Sequence, residues 1–255
     1  AITAASSVVG PLMPPSIPMV IYGAIASVSV GKLFLGGIIP ALLCSLSLMV
    51  LVYIMAKKRH YPLYPKATWA ERWKGFLEAL PPLLTPVLII GGIFSGFFTP
   101  TEAAVVTCCY ALFLGGIVYR TLTWKSLRKV ISDTLSSSVV IGFLTASISV
   151  MGYVLAREQI PQKIAEFFIQ NTSNPIVFML TLNLLLLLLG TIVETMAIIL
   201  LVVPIFVPIA VALGIDPVHF GVVVVMNMMI GILSPPMGVS LFVVSKVGNI
   251  PFTLL

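Results

Sequence analysis

Two long apolar stretches of the sequence are each interrupted by a pair of consecutive prolines. The first pair is Pro14 and Pro15, and the second is Pro235 and Pro236. Because each proline removes a backbone donor and crowds the preceding turn, neither stretch can continue as a regular helix. Unwinding frees carbonyl oxygens, which are hard ligands for Na⁺, and it exposes half-helix ends whose partial positive charge attracts anions. The two interruptions therefore predict binding sites for a cation and an anion within apolar surroundings.

The two interruptions also resemble each other, which indicates an internal repeat. When the proline pairs are superposed, Gly10 and Leu12 fall on Gly231 and Leu233. The predicted topology runs the first broken segment outward and the second inward, so we expect the repeats to be inverted. Matched broken helices in inverted halves are typical of the central site of a secondary transporter, whereas a single proline kink more often only shapes helix packing.

A third polar interruption, Gly190–Thr195, divides the apolar stretch 175–213 into two arms. Each arm is shorter than the about 20 residues that a membrane-spanning helix needs, which predicts a re-entrant hairpin with its tip at membrane depth. Glu194 lies in this tip, and acids at membrane depth are candidates for function by default. Glu194 either balances the charge of a bound ion or caps the amides of the tip, and the sequence leaves both roles open.

Two further polar residues have predicted local roles. Asn227 precedes the second break by about one helical turn, and we expect it to orient the carbonyls there. Glu102 follows Thr99 and Pro100. We expect Glu102 to cap the helix that begins there, because an acid near a helix N-terminus is stabilising.

The composition requires lipid around much of the chain. Hydrophobic residues make up 59% of the sequence and charged residues only 9%, whereas a soluble domain carries about 25% charged residues to solvate its surface. The net charge of +6 could indicate a nucleic-acid partner, but the basic residues cluster in 57–74 and 120–129, between apolar runs. Such clusters are typical of the cytoplasmic loops of membrane proteins. We therefore expect contact with membrane lipid and not with nucleic acid.

These features predict an all-α polytopic membrane protein with inverted repeats, a re-entrant hairpin and broken helices. Because the chain opens with Ala1 inside an apolar stretch, we expect a piece that is truncated at both ends. A short amphipathic helix is predicted over 124–135, along the cytoplasmic face. The predicted parts are the end of the first repeat (1–56), a cytoplasmic interfacial linker (57–80) and the second repeat (81–255), which comprises scaffold helices (81–156), the hairpin (175–213) and a broken helix (217–246).

Two alternatives from other classes are disfavoured by the sequence. An intramembrane protease would need a Ser–His pair, a His-Glu-x-x-His metal site or paired aspartates at membrane depth. The sequence has 2 histidines, which lie far apart and near segment ends, so we do not predict an enzyme. A channel would also bind ions through carbonyls, but inverted broken helices with a re-entrant hairpin favour alternating access.

Four segments resemble the large, DctM-like membrane subunit of tripartite ATP-independent periplasmic (TRAP) transporters. In chain order they are ASSVVGPLMPPSIP (5–18), FTPTEAA (98–104), GIDPVHFG (214–221) and IGILSPPMG (230–238). The resemblance implies a sodium-coupled elevator transporter in the bacterial inner membrane that takes up small organic anions. It also implies two partners, which are a small DctQ-like membrane subunit and a periplasmic DctP-like substrate-binding protein. A first re-entrant hairpin of the family would be missing from this chain.

The resemblance further implies two Na⁺ sites, each between a hairpin tip and the break of the following helix. This chain would hold the helix half of the first site and both halves of the second. The predicted Na⁺ contacts are Gly10, Met13, Pro14, Gly190, Thr191, Glu194, Asn227, Gly231, Ser234, Pro235 and Gly238. The predicted contacts to the organic anion are Pro15, Ser16, Thr195 and Ser234.

The substrate itself stays open at the level of the sequence. C4-dicarboxylates, sugar acids and keto acids are all compatible with the features above. The alternative within transporters is a stand-alone sodium/carboxylate symporter of related architecture that needs no binding protein.

Overall fold

The computed structural model describes residues 2–59, 65–160, 162–164, 166, 174–234 and 239–248. All regular structure within these residues is helical, which confirms the predicted all-α class. The helices are α1 (Ile2–Ser6), α2 (Val9–Leu12), α3 (Ile17–Ala26), α4 (Val30–Lys58), α5 (Trp69–Phe94), α6 (Pro100–Phe113), α7 (Trp124–Arg157), α8 (Pro175–Gly190), α9 (Thr195–Ala212), α10 (Pro217–Gly231) and α11 (Val239–Gly248), with a π-helical turn (Leu114–Val118) directly after α6.

Six helical stretches of the described residues are long and apolar enough to cross a membrane. Their outward faces are apolar; on α4, for example, Ile39 and Leu43 are 68% and 62% exposed. Water would solvate such surfaces poorly, since burying a leucine or isoleucine is worth about 1.5–3 kcal/mol. The helices are therefore the spans of a multi-pass membrane protein, as the composition predicted.

The chain divides into two compact units. One consists of Leu51–Ile141, which we call the two-helix unit because α5 and α6 pack against each other within it. The other consists of Ala1–Val50 and Gly142–Leu255, which we call the hairpin unit because it contains α8 and α9. The predicted boundaries of the inverted repeats rest on the similarity of the two broken segments, whereas these units rest on packing. The repeat boundaries therefore stay a prediction.

Both helices of the two-helix unit begin with a reciprocal cap. At the start of α6, Glu102 N donates to Thr99 Oγ1 (3.3 Å) and Thr99 N donates to Glu102 Oε2 (2.7 Å). The predicted capping role of Glu102 is thus observed. Thr68 and Glu71 form the same arrangement at the start of α5. Helix α5 begins at Trp69, within the predicted 57–80 linker. It continues without a break into the following apolar segment.

Residues 124–157 form one continuous helix, α7. The prediction of a separate short helix over 124–135 is therefore wrong. The polar stretch 132–138 contains neither glycine nor proline. Its hydroxyls donate to backbone carbonyls one turn earlier, as Ser136 Oγ does to Ser132 O at 3.0 Å. Because the side chains are satisfied within the helix, the polar stretch does not end it.

The hairpin unit is built around a core of aromatic side chains from three helices. Phe178 of α8 lies 6.4 Å from Phe206 of α9 and 6.5 Å from Phe220 of α10, measured between ring centroids. Phe178 and Phe220 are fully buried. Helix α3 packs against both α9 and α10. The hairpin and parts of both broken segments therefore share one core.

The two broken segments run in opposite directions beside each other. Ser7 Oγ lies 3.4 Å from Ser240 Oγ, whereas Tyr22 Oη donates to Pro217 O at 2.6 Å. The earlier residue of the first segment thus meets the later residue of the second. This antiparallel arrangement is the one expected of inverted repeats, although the repeats themselves stay a prediction.

Candidate ion and anion site

The hairpin tip is a four-residue turn between α8 and α9. Helix α8 ends at Gly190 and α9 begins at Thr195. Glu194 caps α9, because its Oε2 accepts hydrogen bonds from Met196 N (2.8 Å) and Ala197 N (3.1 Å). Of the two roles that the sequence left open for Glu194, capping is observed. Its role in balancing the charge of an ion stays a prediction.

The two threonines that border the tip differ in how their hydroxyls are satisfied. Thr191 Oγ1 donates to Leu188 O at 2.8 Å. Thr195 is only 5% exposed, and its buried Oγ1 has no hydrogen-bond partner among the residues that the structure describes. An unpaired buried hydroxyl costs about 1–3 kcal/mol, so such groups persist where a ligand or water satisfies them. The predicted contact of Thr195 with the organic anion stays a prediction.

Two glycines bring the tip directly against the second break. A Cβ atom built on Gly231 would lie 2.8 Å from Gly190 Cα and 2.9 Å from Gly190 C. Only residues without a side chain permit helices α8 and α10 to approach this closely. The structure therefore brings together the tip and the break that the family resemblance assigns to one site, while the binding roles of their residues stay predictions.

The second break begins where α10 ends at Gly231. Ser234 follows in a turn, with its N–H donating to Gly231 O at 2.9 Å. The Ser234 hydroxyl donates to Ile230 O at 3.2 Å, and a hydroxyl oxygen that donates can also accept a hydrogen bond or coordinate an ion. The predicted site residues Pro235 and Gly238 lie outside the described residues.

Asn227 is held one turn before the break by two hydrogen bonds. The residue is 8% exposed. Its Nδ2 donates to Val223 O at 3.0 Å and to Asn183 Oδ1 on α8. Asn183 was not predicted as a site residue. The signal that could have identified it is a single amide within the leucine-rich sequence of α8.

The first break lies in the same hairpin unit. Ser16 is 2% exposed and caps α3, accepting a hydrogen bond from Met19 N at 3.3 Å. Helix α4 packs closely against this break, since a Cβ on Gly37 would lie 2.9 Å from Leu12 O. The Ser16 cap and the close packing of α4 both stabilise the chain around the first break. Binding roles of Ser16 and of four neighbours stay predictions: Gly10, Met13, Pro14 and Pro15.

The chemistry of the donor groups limits what the site can bind. Within the described residues, no group of three or more His, Cys, Asp or Glu could hold a metal ion. The stretch 174–234 also contains no lysine or arginine. A cation would be held by carbonyl and hydroxyl oxygens, which suits a hard ion such as Na⁺. An anion would be held by helix N-termini and hydroxyls, such as those at Ser16 and Thr195.

Two broken helical segments beside a hairpin in a polytopic helical protein are an arrangement typical of transporters. The sequence pattern of the family described as "Tripartite ATP-independent periplasmic transporter, DctM component" matches residues 1–255. The chain belongs to this family, which confirms the predicted family. Membership places it among the membrane subunits of inner-membrane transporters and not among enzymes.

Several characterised relatives are similar over nearly the whole chain. The sialic acid TRAP transporter large permease protein of Vibrio cholerae is 54% identical over 100% of this chain and 60% of its own length. The C4-dicarboxylate large permease protein of Pseudomonas aeruginosa is 44% identical over 95% of this chain and 57% of its own length. The 2,3-diketo-L-gulonate large permease protein of Escherichia coli is 33% identical over 98% of this chain and 59% of its own length. The chain thus spans about three-fifths of the length of these relatives.

Proposed function

We propose that the protein drives uptake of a small organic acid with a sodium gradient, as the large membrane subunit of a binding-protein-dependent transporter. The observation that carries this proposal is the junction of Gly190 and Gly231, where the C-terminal ends of α8 and α10 meet at backbone distance. Carbonyls freed at the C-terminal ends of broken helices are the groups with which transporters hold Na⁺.

The relatives support an organic acid as the substrate. Their names specify sialic acid, C4-dicarboxylate and 2,3-diketo-L-gulonate, which are chemically different but all carry carboxylate groups. A site without lysine or arginine can hold such groups through helix N-termini. A sugar acid of the sialic acid type is the first substrate to test, because the relative named for sialic acid is 54% identical.

The packing of the hairpin unit supports an elevator mechanism. The hairpin and the broken segments contact each other through the Phe178 cluster, the paired glycines and Tyr22. Elements that share one tightly packed core resist separation. We therefore propose that they carry the ion and the acid across the membrane together.

Reconstitution tests the proposal. The full-length protein is placed in liposomes with a small membrane subunit, and uptake of sialic acid and C4-dicarboxylates is measured with a periplasmic binding protein present or omitted. We expect uptake only with an inward sodium gradient and with the binding protein. Undiminished uptake when K⁺ replaces Na⁺ would refute sodium coupling. Sodium-driven uptake without the binding protein would instead support the stand-alone symporter.

A further inference from the structure

Asn183 and Asn227 form a polar contact between the first arm of the hairpin and the second broken segment. The two residues are 44 positions apart in the chain. Asn183 is followed two turns later by Gly190, and Asn227 one turn later by Gly231. The asparagine pair and the glycine pair therefore lie along one shared contact between α8 and α10, with the asparagines a short distance before the tip and the break.

The surroundings determine which atom of the Asn227 amide is the nitrogen. One side-chain atom of Asn227 faces both Val223 O and a side-chain atom of Asn183. A backbone carbonyl can only accept a hydrogen bond, so the Asn227 atom that faces it must be Nδ2. Asn183 must then present its acceptor, Oδ1, to the same nitrogen. The hydrogen-bond network thus fixes the orientation of both amides.

This orientation leaves the Asn227 carbonyl oxygen available. Both hydrogen bonds of Asn227 use Nδ2, and Oδ1 has no hydrogen-bond partner among the described residues. The residue as a whole is 8% exposed. An amide oxygen is a hard ligand of the kind that Na⁺ prefers. Without the Asn183 acceptor, only the Val223 carbonyl would oppose a rotation that exchanges the nitrogen and the oxygen.

We propose that Asn183 is a positioning residue that holds Asn227 Oδ1 in place as an oxygen ligand for the transported cation. Asn183 itself does not contact the ion and acts through the amide of Asn227. This inference rests on the proposed sodium coupling and adds a residue on the hairpin arm to the machinery of the tip. It also explains why a leucine-rich helix carries an asparagine at this position.

The test compares three substitutions in the full-length protein. Asn183→Leu removes the acceptor, Asn183→Asp keeps an acceptor oxygen, and Thr181→Val is the matched control on the same helix. The Thr181 hydroxyl donates only within α8, to Val177 O at 2.9 Å. Two quantities are measured, which are the rise in Tm caused by sodium at constant ionic strength and the sodium concentration that gives half-maximal uptake.

We expect Asn183→Leu to raise the half-maximal sodium concentration roughly threefold to tenfold, as for the loss of one oriented hydrogen bond. The sodium-induced rise in Tm should shrink in parallel. Asn183→Asp and Thr181→Val should both keep the sodium response of the unmodified protein. A general loss of stability would lower Tm without changing the sodium concentration dependence.

Two results would overturn the inference, and they have different meanings. An unchanged sodium response in Asn183→Leu would show that Asn183 does not position a sodium ligand, while sodium coupling itself would stand. If Asn183→Leu does not fold, Asn183→Ala removes the same acceptor and decides the question in the same way. An unmodified protein without any sodium-induced stabilisation would overturn the proposed sodium function and this inference with it.

Discussion

Replacing Gly231 with alanine should separate the hairpin tip from the second break. The added Cβ would lie 2.8 Å from Gly190 Cα, 2.9 Å from Gly190 C and 3.2 Å from Gly190 O. Carbon atoms in contact normally lie about 3.5–4.0 Å apart, so the two helices must move apart by roughly 0.7 Å or more. All three neighbours are backbone atoms, so no side-chain rotation can relieve the clash. We expect a loss of about 1–3 kcal/mol in stability, as for other overpacked sites.

The assay measures Tm and sodium-dependent uptake of the full-length protein in parallel. Gly231→Ala should lower Tm and raise the sodium concentration for half-maximal uptake, because the shift displaces the oxygens of the tip and the break. Gly142→Ala is the matched control, since a Cβ there meets nothing within 4 Å. A Gly231→Ala protein with unchanged Tm and unchanged sodium dependence would refute the close approach of α8 and α10 as a requirement of the site.

Four further single substitutions, one of them extended to a double-mutant cycle, test separate parts of the hairpin unit. Tyr22→Phe removes the hydrogen bond to Pro217 O and should cost about 1 kcal/mol in unfolding free energy. Gly221→Ala should cost more, because its Cβ would overlap a Tyr22 ring carbon, and Tyr22→Leu should partly rescue it in a double-mutant cycle. Glu194→Gln keeps an oxygen that can cap α9, so we expect a small loss of Tm; a strong rise in the half-maximal sodium concentration would assign the charge to the ion. Ser234→Ala should weaken the sodium dependence of uptake with little change in expression, and unaltered sodium dependence and transport rate would remove Ser234 from the site.

The interruptions of the helices could be predicted from the sequence because their causes are local. A Pro-Pro pair removes two backbone donors and favours unwinding, although Pro81 and Pro82 lie inside the continuous helix α5, so the pair alone does not decide where a helix breaks. The tip at 191–194 is likewise marked by polar residues between two short apolar arms. Local rules also predicted the cap formed by Glu102, since its partner Thr99 is only three residues away.

The contacts between these elements could not be predicted in the same way. Asn183 and Asn227 are 44 residues apart, and Tyr22 and Pro217 are 195 residues apart. Nothing in the neighbouring sequence specifies such partners, because each contact depends on how whole helices pack. The wrong prediction at 124–135 comes instead from a local sequence pattern. A polar sequence was interpreted as a boundary, although hydroxyls that bond within the helix let α7 continue through it.

Direct binding of radioactive sodium to the purified full-length protein tests the central claim, with Ser234→Ala compared against Thr181→Val. The Ser234 hydroxyl lies directly after the end of α10 at Gly231, so its oxygen is a candidate ligand at the second break, whereas the Thr181 hydroxyl donates to Val177 O within α8. We predict saturable sodium binding in the unmodified protein and in Thr181→Val, and at least about threefold weaker binding in Ser234→Ala. Equal sodium affinity in all three proteins would contradict the placement of the ion between the hairpin tip and the second break.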